Sequence, residues 1–215
     1  MQGSTLALME KSLPQSNPNV RIHSIDVLSD SWYVLRKVGF EFCDGQGRWS
    51  NREREAYDRG NGATVLLIDW TRRTVLLTRQ FRIPAYLNGH IDGMLLETPA
   101  GLLDGDDAET AIRREAEEEA GCRIRSIKRL FELFMSPGSV TERVAFYVAE
   151  YTPTDRTGDG GGVEEEGEDI EVIELDLDDA IAAMSDGRIA DGKTIILLQW
   201  AQLNESQRHG AASCC

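Results

Sequence analysis

The chain alternates apolar and polar positions at two different periods, and the change of period divides it. From Ile22 to Tyr57 it is rich in Val, Phe, Trp and Tyr and broken by Asp44-Gly45-Gln46-Gly47, which predicts a small antiparallel unit around a turn. Ala63–Ile68 and Thr74–Thr78 are continuous apolar runs flanking Asp69-Trp70-Thr71-Arg72-Arg73, and they read as two buried strands joined by a turn. Residues 108–121 switch to helical spacing, with Asp106 or Asp107 as cap and Gly121 as stop. Further strands are expected over 127–134, 143–151 and near 169–175, and helices over about 177–187 and 192–204. Strands and helices mix without a βαβ rhythm, so an α+β fold is expected rather than a doubly wound sheet. No internal repeat is visible, and residues 1–20 read as a loose lead-in.

Composition narrows the function. The 215 residues carry 23 Lys and Arg against 37 Asp and Glu, a formal charge of −14. That balance argues against a nucleic-acid partner, whose binding is driven by cations meeting phosphates. It leaves room for a small phosphate ligand in a local cationic or metal-lined cleft. The first twenty residues lack an apolar core of signal-peptide length, and runs such as 65–68 and 195–198 are too short to span a bilayer. Cys43, Cys122, Cys214 and Cys215 form neither a disulfide ladder nor a metal-ligand spacing, and the last two are expected in an unstructured end. A cytoplasmic protein with no membrane partner is the expectation.

The helix at 108–121 carries acids where apolar residues belong. With Ala108 at zero and about 100° per residue, Ala111, Ile112 and Ala116 form the inward stripe. Glu119 and Glu115 fall in the middle of that stripe, Glu118 at its edge, and Arg113 and Glu117 outside. An uncompensated buried carboxylate costs several kcal/mol, so these acids demand a partner. A cluster of hard oxygens at i, i+3 and i+4 suits Mg²⁺ or Mn²⁺. Arg114 can brace one carboxylate bidentately. His23, His90 and His209 all lie off this helix, which disfavours zinc.

Arg114-Glu-Ala-Glu-Glu-Glu-Ala-Gly-Cys122 resembles the Arg-Glu-U-x-Glu-Glu-x-Gly-U half of the Nudix box, U being aliphatic. Ala100 stands where the box has its first glycine, Asp106 where it has glutamate, and Cys122 at the last aliphatic position. The stretches 57–63, 79–82, 135–138, 160–163 and 191–193 look like the GDP-mannose pyrophosphatase branch, and Pro137 has the spacing of relatives that cleave ADP-ribose. The resemblance implies a Nudix-type α/β/α sandwich over 59–204, a dimerising N-terminal β unit over 21–58, and flexible ends at 1–20 and 205–215. It also implies a homodimer whose N-terminal segments cross between subunits.

The implied activity is hydrolysis of the pyrophosphate in a nucleoside diphosphate sugar, GDP-mannose giving GMP and mannose 1-phosphate. An ADP-ribose or ADP-sugar pyrophosphatase is the alternative, and a sensor that binds without cleaving is a third reading. The resemblance makes the Ala100 carbonyl, Glu115, Glu118, Glu119 and Glu168 the metal ligands. It gives Glu119, Glu168 and Arg114 the catalytic work. Substrate contacts are implied for Arg82, Ala100, Gly101, Leu102, Glu119, Glu142, Gly167, Glu168 and Lys193. Trp32, Glu53, Arg54 and Glu55 are implied to reach the nucleotide from the other subunit. Trp32 replaces the family's Tyr, Glu53 its Lys and Gly167 its Asp. Residues 159–179 hold eleven acids and no Lys or Arg, and the glycines at 160–162 would let this loop swing as a lid. A slip of a few residues would exchange the roles of Glu164, Glu165, Glu166 and Glu168.

Overall fold

A computed structural model describes residues 17–163 and 167–212, with side chains as far as Glu205. Met1–Ser16, Glu164–Glu166, Cys214 and Cys215 lie outside the described residues, and so does what the sequence suggested for them. Contacts divide the chain into two units: residues 17–60 with 134–142, and residues 61–133 with 143–212.

The N-terminal unit is a three-stranded antiparallel sheet in the order β1 (Val20–Asp30), β2 (Val34–Cys43), β3 (Trp49–Asp58). The turn expected at 44–47 forms because the Asp44 carboxylate accepts the backbone N–H groups of Gln46 and Arg48 at 2.9 and 3.0 Å. Residues 134–142 return to this sheet: Tyr57 N donates to the Ser139 carbonyl at 2.8 Å, and Thr141 N donates to that of Tyr57 at 3.0 Å.

The larger unit is a seven-stranded mixed sheet with helices on it. Its main path runs β10 (Glu171–Asp176), β5 (Thr74–Phe81), β4 (Gly62–Asp69), β9 (Arg143–Glu150), β8 (Lys128–Phe134). Two short strands complete it, β6 (Met94–Glu97) on β5 and β7 (Ala100–Leu102) on β4. β4 is buried along its whole length and pairs in parallel with β9, which is why it reads as an unbroken apolar run. The helices are α1 (Ile83–Leu87), α2 (Ala108–Ala120), α3 (Leu177–Asp186) and α4 (Gly192–Ala212). None of them is long and apolar enough to cross a membrane, among the described residues.

Helix α2 starts where Asp107 accepts the N–H groups of Glu109 and Thr110, which settles the choice left between Asp106 and Asp107. It stops at Gly121, in the left-handed region at φ 59°. Ile112, Ala116 and Ala120 pack against Val65, Leu67, Leu76, Tyr147 and Ala149. Leu66 and Ile68 alternate to the opposite side of β4, the side left for the buried Leu197, Leu198 and Ala201 of α4. The sheet is thus covered on both faces, the α/β/α arrangement expected.

Four elements were not foreseen, α1, β6, β7 and a 3-10 turn at Pro153–Asp155, each of five residues or fewer. The last helix runs to Ala212, further than the 192–204 expected. Ala116 lies fully buried in the α2 contact with the sheet. Ala116→Asp places an unpaired charge there and should cost about 3 kcal/mol or more. Denaturant unfolding that showed less than about 1 kcal/mol of loss would mean that α2 does not seal this face.

Candidate active site

The wheel position of the α2 acids translates directly into burial. Glu119 is 1 % exposed and Glu115 8 %, while Glu118 lies at the edge of the helix, partly exposed. Both buried acids lie against β7. Glu119 Oε2 accepts the Ala100 N–H at 3.0 Å. At Gly101 a Cβ would overlap the Glu115 carboxyl as it stands, so a side chain there would displace that carboxyl. The strand that carries Ala100, Gly101 and Leu102 and the helix that carries the acids are therefore brought together.

Arg114 acts differently from the bidentate brace expected. Its Nη2 meets Glu115 Oε1 at 3.0 Å and its Nη1 meets Glu118 Oε2 at 3.0 Å, so one guanidinium bridges two carboxylates. Positions i+1 and i+4 both come within reach of the fork, and splitting it partly offsets both acids at once.

The glycine segment meets the end of α2. Gly161 N donates to the Glu119 carbonyl at 3.0 Å and Gly162 N to the Glu118 carbonyl at 3.1 Å, satisfying carbonyls that the end of α2 leaves open. Gly160, at φ 71°, lies so close to the Glu119 carbonyl that no side chain fits. In this structure these glycines seat the segment on the helix. Beyond them, Glu168 Oε2 accepts the Val163 N–H at 2.9 Å, which draws Glu168 to the same end of the site. Gly167 is exposed at the turn before it.

The charges here oppose one another. Burial pushes the Glu119 carboxyl up to about 8, and the neighbouring charges of Glu115 and Glu168 push in the same direction. The Ala100 N–H and Arg82 oppose this only in part. Among the described residues no three or more His, Cys, Asp or Glu side chains stand close enough together to hold a metal ion. The donor chemistry nevertheless fits a divalent ion: hard oxygens, mutually repelling, with the most buried one short of positive charge.

A second charged group lies beside the first. Arg82 Nε donates to Glu97 Oε2 at 2.8 Å, and Lys193 Nζ to Glu97 Oε1 at 3.3 Å and to Asp191 Oδ1 at 2.7 Å. Arg82 and Lys193, 111 positions apart in the chain, are thereby joined. Glu97 and Asp191 were missed. The available signal was an acid ending the apolar run Met94-Leu95-Leu96, at a point where the chain needs no charge.

The remaining sequence-derived candidates belong to the N-terminal unit. Trp32 is 80 % exposed in the turn between β1 and β2, edge-on to Tyr33 at 6.3 Å. Arg59 lies over the Tyr33 ring at 5.5 Å and meets Glu142 at 3.4 Å, so Trp32 and Glu142 stand at two ends of one chain of contacts. Glu53 pairs with Lys37 at 2.9 Å, and Arg54 and Glu55 line a cavity of about 530 Å³ with Phe40, Phe134 and Val140.

Comparison with known proteins agrees with this geometry. Residues 58–198 match the NUDIX domain, and residues 19–57 match the GDP-mannose pyrophosphatase NudK N-terminal domain. The chain belongs to the Nudix family, whose hydrolases generally use divalent metal ions. A GDP-mannose pyrophosphatase of Klebsiella pneumoniae is 50 % identical over 184 residues, 86 % of this chain and 92 % of that protein. One of Yersinia enterocolitica is 52 % identical over 188 residues, 86 % of this chain and 97 % of that protein.

The raised Glu119 carboxyl has a consequence with a definite sign. Between its ordinary value of 4.5 and about 8, the folded chain holds a proton that the unfolded chain has released. Stability of the metal-free protein therefore falls as pH rises through that window. Melting in EDTA at pH 5 to 8 should show this decline, and Glu119→Gln should flatten it and melt higher than the parent at pH 8. An identical slope in the variant would contradict the burial of a charged group.

Proposed function

We propose that the protein hydrolyses the diphosphate of GDP-mannose to GMP and mannose 1-phosphate, using Mg²⁺, with Mn²⁺ as a substitute. The observation that carries this reading is Glu119, a carboxylate 1 % exposed beside Glu115 and bonded to the backbone of Ala100. The identity of the substrate is supported by relatives named GDP-mannose pyrophosphatase at 50 to 52 % identity.

Glu115, Glu118, Glu119, Glu168 and the Ala100 carbonyl would hold the ion. When bound, a divalent ion screens the diphosphate oxygens and lowers the pKa of water. The protein's own share is positional. The Ala100 N–H fixes one oxygen of Glu119 and leaves Oε1 for the cation. Arg114 keeps Glu115 and Glu118 from splaying apart. Glu168, tied through Oε2 to Val163, offers its other oxygen to the proton of the attacking water. Gly167 takes the left-handed φ of 75° just before Glu168, and Gly101 and Leu102 carry the backbone against which the phosphates lie. Arg82 and Lys193 meet the charge of the substrate as the phosphoanhydride breaks.

Residues 59–204 form the catalytic domain and residues 21–58 a dimerising one, in a homodimer whose N-terminal segments cross. Trp32, Glu53, Arg54 and Glu55 then reach the nucleotide of the other subunit, and Glu142 touches substrate. The exposure of Trp32 supports a role as a stacking surface, since an indole left in water is otherwise an unused apolar area. The protein works in the cytoplasm, without a nucleic-acid or membrane partner. ADP-ribose or an ADP-sugar is the second reading, because the resemblance puts Lys where this chain has Glu53, which here pairs with Lys37.

Product analysis with GDP-mannose and ADP-ribose at equal concentration decides between them. GMP and mannose 1-phosphate should form faster, with Mg²⁺ and not in EDTA. Faster turnover of ADP-ribose would install the second reading, and binding without products would leave only a sensor. Glu119→Gln should lower turnover at least about a hundredfold, and an unaffected rate would remove the helix from the chemistry.

A further inference from the structure

Glu97 is the most buried carboxylate outside α2 among the described residues, at 3 % exposure, and it ends β6. Its two oxygens part company. Oε2 takes the Nε–H of Arg82 at 2.8 Å and Oε1 takes Lys193 Nζ at 3.3 Å. Lys193 continues to Asp191 Oδ1 at 2.7 Å, while Asp191 Oδ2 receives the Thr194 N–H at 2.9 Å and the Thr194 hydroxyl at 2.8 Å. The Thr194 oxygen in turn accepts the N–H of Thr98, the residue next to Glu97, at 2.8 Å. The bonds thus form a closed ring linking the end of β6 to the start of α4. The Glu97 main chain is held as well, its carbonyl accepting the Thr78 hydroxyl at 3.3 Å.

Arg82 hangs from this ring at Glu97, and with it two cations face two acids, so the group as a whole is neutral. A structural ion pair needs one partner for each charge, yet Glu97 divides itself between Arg82 and Lys193 while Asp191 already serves Lys193. Arg82 is left with both Nη groups without a partner among the described residues. A guanidinium held at Nε with its outer nitrogens open is set to meet an anion bidentately. Its charge is also felt by Glu119.

We propose that Glu97 is a positioning residue for the hydrolysis, fixing Arg82 and Lys193 in the orientation in which they take the diphosphate. The inference rests on the reading of Arg82 and Lys193 as the cations that meet substrate. Because the group as a whole is neutral, Glu97 does not supply attraction for the substrate; it supplies geometry. Replacing it by glutamine leaves one accepting oxygen and turns an NH₂ toward a second donor, so Arg82 or Lys193 must let go. The cluster also gains a net positive charge, which keeps the polyanion bound. Turnover is therefore expected to fall without a matching rise in KM; a loss of folded protein lowers apparent kcat in the same way, and an unchanged melting temperature and titration of the active fraction separate the two.

The test uses the full chain with Mg²⁺ and GDP-mannose, and compares the parent with Glu97→Gln, Arg82→Ala and the double variant, alongside melting temperatures. Glu97→Gln should lower kcat at least about tenfold with KM within about threefold, since a displaced positioning group costs rate more than binding. The double variant should lose much less than the product of the two single losses, because one acts through the other. An unchanged kcat in Glu97→Gln, or losses that multiply, would overturn the proposal. ¹⁵N-arginine spectra give a reading independent of substrate: the Arg82 Nε–H should exchange slowly in the parent and fast in Glu97→Gln. If the parent leaves GDP-mannose intact while that signal changes, the substrate reading fails and the positioning role stands. An Arg82 signal unmoved by the substitution, with the ¹⁵N-lysine signal of Lys193 unmoved as well, overturns the positioning role itself.

Discussion

A carboxylate at 1 % exposure with two other carboxylates pressing on it is stable only under narrow conditions. Glu119 meets them in two ways. It holds a proton up to about pH 8, or it gives that proton up to a cation. Much of the larger unit makes sense as the means of keeping Glu119 in that position. The Ala111, Ile112 and Ala116 stripe presses α2 onto the sheet and drags Glu115 and Glu119 in with it. Whole domains are stable by about 5–15 kcal/mol, so burying two such acids claims a visible share of that margin. Arg114, split between Glu115 and Glu118, recovers part of it.

The same constraint explains where side chains are missing. Gly101 lets β7 pass under the Glu115 carboxyl, and Gly160 lets the following segment sit on the Glu119 carbonyl. The backbone thereby closes around α2 from both directions, supplying N–H groups to Glu119 on one side and to the terminal carbonyls of the helix on the other. Glu168 is tied through Val163 to this seated segment, and its charge adds to the repulsion at Glu119.

What the chain disclosed by itself was whatever depends on local periodicity. Eleven degrees of error per residue would have moved Glu119 off the stripe, yet a capped helix keeps its 100° step, so its burial was legible. β4 and β5 were legible for a similar reason, being long enough to show unbroken apolar runs. β6 and β7 were not, because three or four residues carry no period and become strands only by pairing with β5 and β4. Glu97 was hidden with β6, although the two cations it joins were named by resemblance. Gly160 was read for freedom, whereas in the folded chain its bare Cα is also needed for lack of room, and the sequence does not distinguish the two demands. Arg114 was placed correctly and its geometry was not, since the choice between gripping one acid and bridging two depends on side chains a turn apart.

Crystals grown with Mn²⁺ and measured at its absorption edge test the central claim most directly. An anomalous peak is expected within coordination distance of Glu119 Oε1 and Glu115, beside the Ala100 carbonyl, about 2.0–2.2 Å from each ligand oxygen as for a small hard dication. An active enzyme whose bound Mn²⁺ lies elsewhere, with Glu119 still protonated and bonded to Ala100 alone, would contradict the account.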